Sequence, residues 1–517
     1  MIGQMKIFLW FVVICGLGEL ENVQAINILG IVSSLSKSHS VFANAIFNEY
    51  ANSGHSVTVL SPYEVSLKIT HYKLDGLEKL KRNFRSHQNL QVDEYTALLQ
   101  LYEEGLATTK AVINHDSFKK LISAPLHIDV IILDYDYNDA LLAIAHRFKC
   151  PIFILAIDTP SLTLKRIINP GYPVTNLIFQ QPIADIGVSN ALWDVMANMY
   201  EKFIVNFYYA NHQETLYQKI ISGLATPSKE EPSNRIAKMF TSTLSPPFLT
   251  TNKLVNLISL HIPEKRISEY FVADPLDRFI HSTDEGCIYV SLGADTDPAT
   301  LPKNRIYTMF QVFHSRPEKI IWAWNGNTTN FAGSNKFFVS SWMPQDDIFG
   351  HRNIRAFVTN GGSLSMQEAI YHGIPTIGIP LTYQQRDNVD LMVAKGLGVK
   401  VEMSNLTIES FMWALNEVID NNSFKYKERL AFEADLMENQ LKSPMETVKY
   451  WIKYFHQYRY EDVISNTRLS VIDYYLSDIY LLVFLLIFLF LVIAVISYIK
   501  LYRIASRYFV QRKYKYY

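Results

Sequence analysis

Apolar and polar positions fall into two successive series of short apolar runs separated by amphipathic stretches. Residues 26–32 are an apolar run of strand length. A Ser-rich loop follows, Ser33-Ser34-Leu35-Ser36-Lys37-Ser38-His39-Ser40. Residues 41–52 then place Val41, Ala45 and Ile46 on one helical face, and Gly54 suits the position just past a helix end. Residues 56–60 are apolar again, so a βαβ unit is predicted. Runs at 126–134 and 151–157, with an apolar helix around 140–148, continue it. Residues 160–270 are less regular. A second, clearer series has strands at 287–292, 319–324, 336–339, 354–359, 375–379 and 399–403. Helices such as 365–372 and 388–395 lie between them. Two series of similar size predict an α/β fold with two Rossmann-like domains facing across a cleft. Neither first turn reads Gly-x-Gly-x-x-Gly, so a dinucleotide cofactor is not expected.

Two apolar segments break this pattern. Residues 7–17 are preceded by Lys6 and followed by Val23-Gln24-Ala25. That order predicts a signal peptide over 1–25, since the run is too short to span a bilayer comfortably. Residues 479–499 contain no charge, and a helix of that length covers roughly 30 Å, one hydrocarbon core. Beyond it Lys500, Arg503, Arg507, Arg512, Lys513 and Lys515 occur without an acid. The positive-inside rule then puts the 500–517 tail in the cytosol and the rest in a lumen, as a single-pass type I protein. Lys513 and Lys515 resemble a dilysine signal for return to the endoplasmic reticulum; a tail lying on anionic lipid is the simpler reading.

The chain of 517 residues has room for two or three domains, and its net charge of -1 suggests neither disorder nor a nucleic-acid partner. Cys150 and Cys287 are expected to be isolated buried thiols, and no cysteine–histidine spacing suggests zinc. Asn327, Asn405 and Asn421 open N-glycosylation acceptors, which supports a lumenal chain.

The chemistry concentrates in residues 337–388. Trp342 precedes Pro344 and Gln345; an indole can stack on a pyrimidine and the glutamine offers a donor and an acceptor. Thr359-Asn360-Gly361-Gly362-Ser363 joins a predicted strand to a helix, where backbone N–H groups and the helix field favour an anion. Glu368 follows one turn later, placed to accept two ribose hydroxyls. A loop ending Gln384-Gln385 closes the set. In the first series, His39 stands at the start of a helix, where imidazolium is disfavoured and a neutral base favoured. Asp134 emerges at the carboxyl edge of the sheet, where open α/β sheets bind ligands. Asp136 and Asp139 compete with it.

Together these motifs resemble the nucleotide-sugar signature of animal UDP-glycosyltransferases, the class that includes UDP-glucuronosyltransferases. The likeness covers the whole architecture and is most specific over 286–395. It implies the two-lobed glycosyltransferase (GT-B) fold: an acceptor-binding domain over 26–270, a UDP-sugar domain over 271–450, a juxtamembrane segment over 451–478 and a membrane helix over 479–499. It implies an inverting transfer of a hexosyl or glucuronosyl group from a UDP-sugar to a hydroxyl of a small lipophilic acceptor, as in detoxification. His39 would be the base and Asp134 its partner. Trp342 would stack on uracil, Gln345 bind the uridine, Ser291 and Ser365 contact the diphosphate, Glu368 hold the ribose and Gln385 read sugar hydroxyls. No cofactor or metal is implied, the UDP-sugar being a co-substrate, and a homo-oligomer is open.

Three departures from the family matter. Asn360 stands where the family has a histidine before the Gly-Gly turn, Gln384 where it has an aspartate, and Ile258-Ser259 where it has a glycine pair. Asn360 cannot become a cation, and charge-assisted bonds are roughly twice as strong as neutral ones. The alternative reading is therefore a weakly active or non-catalytic UDP-sugar binder. A metal on Asp134-Tyr135-Asp136 or Asp295-Thr296-Asp297 is the remaining rival.

Overall fold

Both apolar series become parallel sheets. A computed structural model of the chain describes residues 25–77, 80, 94–157, 209–223, 236–241, 254–256, 275–293, 296, 298–326, 331, 334–458 and 479–513. The first sheet contains β1 (Asn27–Val32), β2 (Ser56–Ser61), β3 (Thr70–Lys73), β4 (Val130–Asp134), β5 (Ile152–Ala156), β6 (Ile236–Thr241) and β7 (Leu254–Asn256), in the order β3-β2-β1-β4-β5-β6-β7. The second contains β8 (Cys287–Ser291), β9 (Lys319–Ala323), β10 (Phe337–Ser340), β11 (Ile354–Thr359), β12 (Thr376–Gly378) and β13 (Gly398–Lys400), in the order β10-β9-β8-β11-β12-β13. Each order reverses once, between β1 and β4 and between β8 and β11. A crevice opens at the carboxyl ends of strands on either side of such a reversal.

Strands β1, β4 and β5 are buried almost throughout, as expected of parallel strands covered on both faces. The helix Lys37–Asn52 buries Phe42, Ala43, Ile46, Phe47 and Tyr50 against the sheet. It approaches so closely that a Cβ on Gly30 would sit 2.3 Å from the Phe47 ring. The helix begins four residues earlier than the predicted start at 41. Its first turn, Lys37-Ser38-His39-Ser40, has no apolar periodicity, yet His39 and Ser40 are buried. Strands β3, β6 and β7 and the helix Glu94–Asn114 escaped the pattern; β6 carries Lys238 amid its apolar residues.

The helix Pro444–Gln457 runs across the expected domain boundary at 450. Its start is fixed by a capping box between Ser443 and Glu446 with Pro444 in the first turn. Val448, Ile452 and Phe455 pack into the core of the first lobe, with Ile28, Val57, Val59 and Phe153. Phe455 meets Phe153 edge-on at 5.8 Å, Lys449 pairs with Glu49, and Lys238 stands 3.7 Å over the Trp451 ring. A boundary at 450 cuts through this helix, and 451–457 belongs with the first lobe's core. The physical reason is the helix's apolar stripe, which has its partner surface 400 residues away in sequence.

The helix Ile479–Lys513 is long and apolar enough to cross a membrane, with an apolar window Leu486–Ala505. It runs past the expected end at 499 because nothing between Lys500 and Lys513 breaks a helix. Lys500 and Arg503 can extend their charged ends along it toward water. Cys150 and Cys287 are buried in separate lobes, and Asn405 and Asn421 are exposed. The signal peptide over 1–25 (Ala25 apart), Ile258-Ser259, Asn327 and Lys515 fall outside the described residues.

Candidate active site

His39 lies in the first turn of the helix Lys37–Asn52 and Asp134 ends β4. Val32, at the end of β1, pairs with Asp134, so the sheet reversal puts the two groups side by side. His39 Nδ1 is 3.0 Å from Asp134 Oδ1, with the residues 6% and 0% exposed. Asn138 braces this corner. Its side-chain N–H donates to Ser33 Oγ at 2.7 Å and to the Asp134 carbonyl at 2.8 Å. A buried carboxylate against one ring nitrogen favours the tautomer that carries the proton there.

The rival carboxylates sit elsewhere. Asp136 is part of the turn, its backbone N–H donating to Asn138 Oδ1. Asp139 is enclosed by a cluster that includes Tyr102, Tyr137 and Tyr209. Burial pushes its carboxyl up to about 7, against the opposing pull of hydrogen bonds from Tyr135 and Tyr209. The geometry therefore brings Asp134, and neither competitor, to His39. Asp295 and Asp297 lie outside the described residues.

Across the cleft, Gln345 opens the short helix Gln345–Phe349 and Ser365 and Glu368 lie on the helix Ser363–Tyr371. These three converge: Gln345 Nε2 donates to Ser365 Oγ at 3.0 Å and to the Glu368 carboxylate. Ser291 ends β8 beside Thr359, which ends β11. The Gly-Gly turn then leaves β11. Gly361 has φ +85°, and a Cβ there would strike Val389 and the Gln385 carbonyl. Asn388 fastens the turn by donating to the Gly361 carbonyl at 3.1 Å. Gly362 caps the following helix, and a Cβ on it would meet Asn360 Oδ1 at 3.7 Å.

Asn360 is buried and engaged in this turn through its side-chain oxygen. Its Oδ1 accepts from the Gly362 N–H at 3.3 Å, and its Nδ2 lies against Gly293 in the loop after β8. One of the N–H groups that sequence reasoning assigned to an anion is thus held by the Asn360 side chain. Gln385 is also partly committed. Its Oε1 accepts from the Leu381 and Thr382 N–H groups, completing a capping box with Thr382, so its Nε2 is the end left to donate. The backbone of Gln384 lies in the same helix, Tyr383–Ala394, and its side chain lies outside the described residues.

Trp342 is half exposed at 53%, and Lys37 places its ammonium 3.6 Å from the ring centroid. This contact joins the lobes two residues before His39. Ser363 Oγ donates to the Ile157 carbonyl at 3.3 Å and Leu364 is buried in the first lobe's core, so the cleft has a packed floor. Lys37, Asn138 and Thr382 were missed by sequence reasoning. Lys37 alone left a trace, as the one cation in the Ser-rich loop.

The chain matches the family described as "UDP-glucoronosyl and UDP-glucosyl transferase" over residues 21–516. It is 25% identical to a UDP-glycosyltransferase UGT5 of Dactylopius coccus over 91% of each chain. It is 26% identical to UDP-glucuronosyltransferase 2B1 of Rattus norvegicus over 86% of this chain and 87% of that one. Among solved structures it resembles the glycotransferase of kitacinnamycin, with a TM-score of 0.55 at 14% identity, covering 83% of this chain and 99% of that one. CalG4, the calicheamicin glycosyltransferase, follows with a TM-score of 0.51 at 16% identity, covering 84% and 99%. These likenesses establish the two-lobed GT-B fold.

Proposed function

The chain belongs to the UDP-glucoronosyl and UDP-glucosyl transferase family, and on that premise we propose that it moves a hexosyl or glucuronosyl group to a hydroxyl of a small lipophilic acceptor, with inversion. Membership itself makes it a glycosyltransferase that takes its sugar from a UDP-sugar and delivers it to an acceptor. The observation that supports the mechanism best is the buried His39–Asp134 pair at 3.0 Å, at the reversal of the first sheet.

Asp134 accepts from His39 Nδ1–H, so Nε2 takes the acceptor's hydroxyl proton as its oxygen attacks C1 of the sugar. The C1–O bond to the diphosphate breaks, and UDP leaves with the bonding pair. UDP needs no proton; it needs its developing charge met by donors. Ser291, Ser365 and the amide N–H of Asn360 supply them. Glu368 takes the ribose hydroxyls, Gln345 the uridine, Trp342 the uracil face away from Lys37, and the Gln385 amide N–H the sugar. Gln384, beside Gln385 in the helix Tyr383–Ala394, tunes donor choice. The UDP-sugar is a co-substrate, and no cofactor is required. The apolar helix and basic tail support a type I membrane protein with lumenal lobes, in the endoplasmic reticulum.

The test is UDP release from a panel of UDP-sugars, with and without a phenol mixture. His39→Ala should lower kcat by about 10²–10⁴ with UDP affinity by calorimetry nearly unchanged. Asp134→Asn should act alike. Full activity in Asp134→Asn, or no UDP binding by the unmodified chain at millimolar UDP, would overturn the reading.

A further inference from the structure

Near the amino ends of β8 and β11, three side chains converge that the transfer reaction does not use. Asp277 and His281 are four residues apart on the helix Pro275–His281 and so share one face. His351 belongs to the turn that leads into β11. Asp277 Oδ1 is 3.2 Å from His281 Nδ1 and 3.8 Å from His351 Nε2, and one atom from each residue falls within 4.8 Å of the others. The His351 side chain is 4% exposed, and its Nε2 is buried with no hydrogen-bond partner among the described residues. Burying a polar nitrogen without a partner is costly, and this one points at two other ligating groups.

We infer that Asp277, His281 and His351 hold a divalent cation of the zinc class. Ligand atoms about 2.0–2.1 Å from a tetrahedral zinc lie roughly 3.3 Å apart, and the observed 3.2 and 3.8 Å bracket that edge. Two imidazoles with one carboxylate suit zinc better than magnesium or calcium, which prefer oxygen. His281, half exposed, gives the ion a way in and leaves a fourth position for water. Without metal, protons stand in its place: His281 Nδ1 lies 3.0 Å from the Asp277 carbonyl, and the Asn353 N–H faces His351 Nδ1 at 3.3 Å. Binding therefore shifts the ring protons off the coordinating nitrogens and loosens the long Asn353 contact. The ion would brace the helix that feeds β8 against the turn that feeds β11. Asn353 already links them, donating to the Ile280 carbonyl at 3.2 Å and accepting from the Cys287 N–H at 2.8 Å. This departs from the sequence-based expectation of no metal; the two histidines are too far apart in sequence to read as a motif.

The full chain, solubilised in detergent and stripped with a chelator, would be titrated with Zn(II) and, for its visible spectrum, Co(II). One equivalent should bind, with the strong visible bands of four-coordinate cobalt. His281→Ala, at a half-exposed position, and Asp277→Asn, at a partly buried one, should each weaken binding by at least about tenfold, as losing a ligand costs more than losing an outer contact. His351→Asn should do the same if it folds. An absence of bound zinc at micromolar free metal, a six-coordinate cobalt spectrum, or unchanged affinity in both His281→Ala and Asp277→Asn would overturn the inference.

Discussion

Asn360 shows what one residue does to an anion site. Its Oδ1 holds the Gly362 N–H, and the buried amide packs against Gly293. Asn360→His releases that N–H and adds a side chain that can carry charge. A charge-assisted bond to the diphosphate is worth about 1.5–3 kcal/mol, or roughly ten- to a hundredfold in rate if it forms mainly in the transition state. Steady-state UDP release should therefore rise in Asn360→His. A fall from a measurable starting rate would mean that Asn360 is adapted to its own donor. Gln385 makes the same point in reverse, because its oxygen caps a helix and its amide nitrogen is the end left to donate. Gln385→Glu keeps the cap and loses the donor, so KM for the UDP-sugar should rise with thermal stability unchanged. Gln385→Ala should also lose about 0.5–2 kcal/mol of stability. Equal unfolding midpoints for the two variants would contradict the capping role.

At the scale of elements, the end of β4 and the turn after it carry two carboxylates with opposite fates. Asp134 meets His39, whereas Asp139 enters the short helical turn Asp139–Ala143 and is buried among tyrosines. Its carboxyl is pushed from 3.8 to about 7 by that burial. The sign follows from proton binding: between those values the folded chain holds a proton that the unfolded chain has lost. Asp139 thus contributes stability that is complete below about pH 4 and is lost as pH rises through about 7. Denaturant midpoints should fall over that interval, and Asp139→Asn should flatten the fall. A profile of equal slope in Asp139→Asn would show that other groups set it.

For the whole molecule, the helix Pro444–Gln457 is the strap between lobes. It leaves the second lobe, crosses back and buries Val448, Ile452 and Phe455 in the first. Ile452→Ala should cost about 2–5 kcal/mol, the range for a truncated core side chain. Chemical denaturation followed by intrinsic fluorescence would report it. A loss under about 0.5 kcal/mol, as for a surface position, would mean that the helix does not support the first lobe.

The sequence alone determined the alternating α/β pattern, because parallel strands buried on both faces read as unbroken apolar runs. It also determined the apolar helix near the end and the Trp342, Gly-Gly and Glu368 spacing, since each lies within a few dozen residues and depends on local geometry. It left Asp134, Asp136 and Asp139 in competition. Choosing among them required the pairing of β1 with β4, which puts Val32 beside Asp134. Tertiary structure likewise decided that Lys37 meets Trp342, that Asn360 holds a backbone N–H, and that the last helix of the lobes belongs to the first. These facts depend on contacts between distant segments. Periodicity reveals which face of an element is buried, but the identity of its partner is fixed only when sheets and lobes close on one another.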